Sequence, residues 1–140
     1  MKASSLFYGM FLAVVVIAVL LLIFGVNFGN SAKNATYRAD AEIQVAGVVT
    51  DTDEFACPVS AGEVGSHLKL NTENGIVVVH LAPARVMRSQ SFHFQRGDKL
   101  EVRGSTVRLF GESGVIAREI ARGNDVFTIR DRQGKLMLVQ

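Results

Sequence analysis

Cysteine is almost missing from this chain. Of 140 residues only Cys57 is one, so no internal disulfide can form, and no CxxC pair exists to ligate a metal or run a redox cycle. A single thiol is compatible with either side of a bacterial membrane. Cys57 also lies too far beyond the apolar N-terminal run to serve as a lipobox cysteine. Signatures of catalysis are missing too. No GxSxG nucleophile elbow is present, the carboxylates are scattered rather than paired, and Gly62 and Gly65 are not followed by the Lys-Ser/Thr of a phosphate loop. An enzyme is therefore not expected, and no catalytic residue is assigned.

Charge is missing from residues 3–32. Within that stretch, residues 6–28 (LFYGMFLAVVVIAVLLLIFGVNF) are apolar enough for a transmembrane helix. At about 1.5 Å per residue they reach roughly 34 Å, against a hydrocarbon core of about 30 Å. The apolar core is longer than that of a cleavable signal, and Phe24 to Gly29 make a poor cleavage site, so an uncleaved anchor is expected. With no charge in the span, it carries no proton relay or ion pathway. Lys2 and the amino terminus oppose Lys33 and Arg38 in a near tie. The short tail, residues 1–5, is expected to stay in the cytoplasm, which puts the C-terminal domain on the periplasmic side of an inner membrane.

Residues 29–40 are small and polar and read as a tether; Asn34-Ala35-Thr36 fits the N-glycosylation pattern, which matters only in a eukaryotic secretory setting. Residues 41–140 then form one domain. Its charge is polarised along the chain: residues 40–80 hold seven acids and one base, Lys69, whereas residues 81–140 hold eleven bases and six acids. In a closed barrel the two halves would interleave, giving a mixed solvated surface rather than a basic face.

The domain reads as a series of short strands. Residues 41–50 alternate, with Gly47 marking a bulge or bend. Residues 51–66 are polar, contain Pro58, Gly62 and Gly65, and read as a long loop available to a partner. Asn74-Gly75 predicts a tight hairpin between residues 67–71 and 76–81. That hairpin puts Leu68, Leu70, Val77, Val79 and Leu81 on a core face, and His67, Lys69, Ile76, Val78 and His80 on a mixed outer face suited to contact. A short helix is predicted over 82–91 with Val86 and Met87 inward. Strands follow at 99–103, 106–110 and 115–121, and a final hairpin joins 126–130 to 135–139. Five short strands with a helix between the third and fourth give an all-β, OB-fold-like small barrel with one short helix.

The runs at 65–86 (GSHLKLNTENGIVVVHLAPARV), 96–105 (RGDKLEVRGS) and 114–123 (GVIAREIARG) resemble small bacterial membrane-anchored OB-fold domains. The overall plan is similar to the cytochrome c maturation haem chaperone, in which a histidine after the last barrel strand holds haem. The matching stretch here reads Ala121-Arg122-Gly123-Asn124-Asp125-Val126-Phe127, without that histidine.

The expected role is therefore a single-pass accessory subunit of a larger bacterial membrane complex, of respiratory or photosynthetic type, with membrane and integral membrane subunits as partners and no cofactor. Contact is expected through His67, Lys69, Ile76, Val78 and His80, with Asp53, Phe55 and Pro58 from the loop. The runner-up is haem or metal handling. His67 and His80 would sit diagonally on one face, and Cys57 is the candidate third metal ligand. Oligonucleotide binding through Phe92, Phe94, Phe110 and Phe127 with nearby arginines would require a cytoplasmic domain, so no nucleic-acid partner is expected.

Overall fold

A computed structural model describes residues 35–138. The expected tail, the span at 6–28 and the first half of the tether, residues 29–34, lie outside the described residues, as does Val139 of the predicted final hairpin. Among the described residues no helix is long and apolar enough to cross a membrane.

Six strands and one short helix make up the domain: β1 (Glu42–Ala56), β2 (Val64–Thr72), β3 (Gly75–Pro83), α1 (Ala84–Arg88), β4 (Lys99–Leu109), β5 (Glu112–Arg122) and β6 (Asp125–Thr128). The sheet order is β3-β2-β1-β4-β5-β6, and β3 also pairs with β5. The pairings β1–β2–β3–β5–β4–β1 thus close on themselves, which removes the open edges that an isolated sheet would present. Every pairing is antiparallel except β3–β5, which is parallel over Val78↔Gly114, Val79↔Val115 and His80↔Ile116.

Closure depends on two glycines. β1 gives its first half to β4 and its second half to β2. At the changeover, a Cβ on Gly47 would lie 2.3 Å from the Asn71 carbonyl oxygen. The register irregularity predicted near Gly47 falls instead between Val49 and Asp51. On β4, a Cβ on Gly104 would lie 2.1 Å from the Ile116 carbonyl oxygen, beside the irregularity between Arg103 and Gly104. Only glycine permits backbones to approach so closely. The predicted break at Gly104-Ser105 is therefore a bulge inside one continuous strand.

Inside the ring, Val49, Leu68, Leu70, Val79, Leu81, Leu100, Val102, Val115 and Ile120 pack with Met87 of α1. The predicted core face of the hairpin is buried as expected at Leu68, Leu70, Val79 and Leu81, and Val86 and Met87 of α1 point inward. The helix is shorter than 82–91, and Pro83 is its N-cap rather than part of its first turn. Phe92, Phe94 and Phe127 pack on one another, with ring centroids 4.5 to 5.7 Å apart, so they are not a row of separate stacking platforms.

Three elements depart from the predicted plan. In place of the final hairpin of 126–130 with 135–139, β6 pairs with β5, and a single bridge of Arg130 with Leu136 is the only strand pairing between the two predicted arms among the described residues. The polar stretch 51–66 is mostly strand: β1 runs to Ala56 and β2 starts at Val64. The β2–β3 register is also two residues tighter, with Thr72 opposite Gly75 and Glu73-Asn74 as the turn. Gly75 takes the positive φ, 112°. A shift of two residues keeps each side chain on its face, so the core assignment survives. It does bring His67 directly opposite His80 rather than diagonal to it.

Candidate metal centre

The site begins where β1 ends. After Ala56 the chain leaves the sheet at Cys57, makes a single 3-10 turn over Pro58–Ser60, and reverses through Ala61 and Gly62, both left-handed with φ of 52° and 84°. The Ser60 and Gly62 amides both donate to the Cys57 carbonyl at 3.3 Å. This tight return folds Cys57 inward over the outer face of the β2–β3 pair, where its side chain is buried.

His67 on β2 and His80 on β3 project from that outer face, opposite to Leu68 and Val79. An outward histidine on a small barrel is normally wet, but these two are 1% and 0% exposed. The Phe55 ring stacks flat on His67, with centroids 3.8 Å apart and planes 6° from parallel, and Phe110 packs edge-on against Phe55 at 5.6 Å. Gly65 completes the enclosure. A Cβ there would lie 2.7 Å from His80 Cε1 and 3.1 Å from His67 Cε1, so both rings sit against bare backbone.

Three donor atoms converge in this enclosure. His80 Nδ1 is 3.1 Å from His67 Nε2 and 3.4 Å from Cys57 Sγ, and all three lie within 4.8 Å of one another. The outward nitrogens, His67 Nδ1 and His80 Nε2, are buried without a hydrogen-bond partner, as is Ser60 Oγ. Orphaned buried polar atoms of this kind are uncommon and call for a cause.

Burial pushes His80 down to about 3, helped by the charges of Arg130 and His67. It pushes His67 down to about 4, opposed weakly by the Gly65 backbone and Asp53. Both imidazoles are thus neutral at pH 7, the protonation state that ligates metals. Arg130 is itself buried, donating from Nη1 to the carbonyls of Leu81 at 2.5 Å and Ala117 at 2.7 Å. Desolvation lowers it to about 10, which still leaves it a cation at neutral pH, within electrostatic reach of Cys57 and His80. A cavity of about 410 Å³ reaches this side of the cluster, lined by Tyr37, Ser60, His80 and Arg130 among others.

The structure corrects the predicted contact surface. His67, Val78 and His80 are buried and offer no face to a partner; the outer face is already occupied by the stack of Phe55 and the turn after Cys57. Lys69, Ile76 and Asp53 are exposed, whereas Phe55 and Pro58 are half-buried. The three candidate metal ligands are brought together, closer than the predicted register implied. Gly65, Arg130 and Ser60 were missed. Nothing in the sequence marks Gly65 as more than a loop glycine, and Arg130 looks like an ordinary base at a strand end.

No curated protein matches the chain. A family model described as the MamS/MamX magnetosome protein family matches residues 39–127. The matched region starts at the 3-10 turn preceding β1 and ends within β6, so it spans the closed ring and the three converging side chains. Because the match extends over well more than half of the chain, the protein belongs to the MamS/MamX magnetosome protein family.

Proposed function

We propose that the protein is a membrane-anchored accessory component of the magnetosome whose OB-type barrel, on the non-cytoplasmic side of its membrane, braces other membrane proteins. The observation that carries this reading is the family match across the whole barrel. The apolar stretch 6–28 supplies the anchor in this reading, and the pairing ring β1–β2–β3–β5–β4 with a helix between β3 and β4 supports an OB-type barrel. Magnetosome membership gives no support to the respiratory or photosynthetic setting expected from the sequence.

With His67, Val78 and His80 buried, bracing falls to what remains exposed near the hairpin, Lys69 and the 54%-exposed Ile76. The test is gentle detergent extraction of tagged full-length protein from magnetosome-bearing cells, native-size analysis, and mass spectrometry of co-purifying chains. Stoichiometric recovery with other magnetosome membrane proteins, weakened by I76D, is expected. Recovery alone at monomer size would overturn the bracing role.

A second reading, metal handling, is favoured by the convergence of Cys57, His67 and His80.

A further inference from the structure

We propose that Cys57 Sγ, His67 Nε2 and His80 Nδ1 bind one soft transition-metal ion, and that the ion is Cu(I). The geometry comes first. Around a three-coordinate metal with bonds of about 2.0–2.1 Å to nitrogen and 2.3 Å to sulfur, trigonal angles put two nitrogens about 3.6 Å apart and a nitrogen and a sulfur about 3.8 Å apart. The observed edges are 3.1 Å and 3.4 Å. These two edges need to open by only about 0.4–0.5 Å to admit the ion, and the third, between Cys57 and His67, is no longer than 4.8 Å.

Without an ion, these contacts satisfy the groups poorly. His80 Nδ1 has a single lone pair or a single proton, yet it faces both His67 Nε2 and Cys57 Sγ. A cation between the three uses every inward lone pair at once. It also fixes both rings as their outward N–H tautomers.

Charge then selects the ion. A ligating cysteine is a thiolate, so Cu(I) gives a neutral cluster, whereas a divalent ion leaves a net positive charge in a buried site. Arg130 already adds one buried cation nearby. The buried polar and charged residues described are His67, His80, Ser105, Arg118 and Arg130, with no carboxylate among them to offset a second charge. Coordination number points the same way. Structural zinc sites close with four protein ligands, and the converging group among the described residues has three. Thiolate with imidazole is a soft donor set that suits Cu(I). The inference does not depend on the bracing role.

The test is an anaerobic titration of the full-length protein in detergent with Cu(I), in competition with a chromophoric Cu(I) chelator. One equivalent is expected to bind. C57S, H67Q and H80Q should each lose more affinity than the roughly 10–100-fold typical of an outer-shell change. H93Q, which alters an exposed histidine, should bind as wild type does. No binding, or binding unchanged in C57S, overturns the site. Stoichiometric Zn(II) binding without Cu(I) binding overturns the identity of the ion. X-ray absorption of copper-loaded wild type needs no variant that might misfold. It should show one sulfur and two imidazole scatterers, and a shell without sulfur refutes the assignment.

Discussion

At the scale of single residues, the firmest polar arrangement outside the metal centre joins Tyr37, Glu42 and Arg118. Arg118 grips Glu42 with two parallel bonds, Nε to Oε2 at 2.9 Å and Nη2 to Oε1 at 2.8 Å, and Tyr37 donates its hydroxyl to the same carboxylate. Arg118, with its side chain only 10% exposed, would lose its bidentate partner if Glu42 were lost and keep only the Glu119 carboxylate, 2.9 Å from Nη1. The Arg118 and Tyr37 bonds hold Glu42 down at about 2, while burial and the Glu42 bond push Tyr37 up to about 12. A depressed carboxylate contributes stability above its ordinary pKa and loses it as pH falls through the folded value. E42Q is therefore expected to cost about 1–3 kcal/mol at pH 7. The gap to wild type should shrink as the pH drops below the ordinary glutamate value toward about 2. Urea denaturation of both proteins across that range checks this, and a gap that stays constant would show that the pair contributes little. None of the network was legible beforehand, because Glu42 and Arg118 lie far apart in the chain and only the β1–β4–β5 pairing brings them together.

At the scale of elements, β2 shows how a strand passes beneath a site. Gly65 lies opposite Phe55 on one side and Pro83 on the other, under both imidazoles. Ordinarily Gly→Ala in extended backbone would stabilise by about 0.4–1 kcal/mol through the unfolded chain. Here the new methyl would meet His80, which is fully buried and has no space to retreat into. G65A is expected to destabilise by about 1–3 kcal/mol. Thermal or urea unfolding decides it, and a stabilised G65A protein would mean that the rings are loosely held. The same region shows why the polar stretch 51–66 was misjudged. Thr52, Asp53 and Glu54 are exposed, so composition reads them as loop, yet their backbones pair with Leu68, His67 and Ser66. Backbone pairing leaves no mark on composition when the side chains face water. The apolar hairpin was readable because Leu68, Leu70, Val79 and Leu81 alternate into the core. Its exact register was not readable, because Gly75 alone takes the positive φ.

At the scale of the whole domain, the charge asymmetry of the sequence disappears on folding. Acids of the first half meet bases of the second: Glu42 with Arg118, Glu54 with Arg88, and Glu63 with Arg85. The latter two are exposed and worth little individually, but they spread the charge over a mixed surface. The ring itself closes through the short parallel β3–β5 seam, and His80 is one of the three residues that β3 contributes to it. No local sequence signal announces that seam, since its partners are distant and their side chains are those of any strand. Its position ties the metal centre to the barrel: an ion on His80 holds β3, the neighbouring β2 through His67, and the end of β1 through Cys57. An ion that binds the folded state alone adds about 2.7 kcal/mol at a hundredfold excess over its dissociation constant. For a domain of roughly 100 residues, each kcal/mol moves Tm by about 4–8 °C. Saturating Cu(I) is therefore expected to raise the Tm of the full-length protein by roughly 10–20 °C, reversibly on chelation. C57S should show no such rise. Calorimetry of both proteins, with and without copper, makes the comparison. Equal shifts in the two would place the copper elsewhere, and no shift in wild type would separate the three side chains from any role in holding the ring closed.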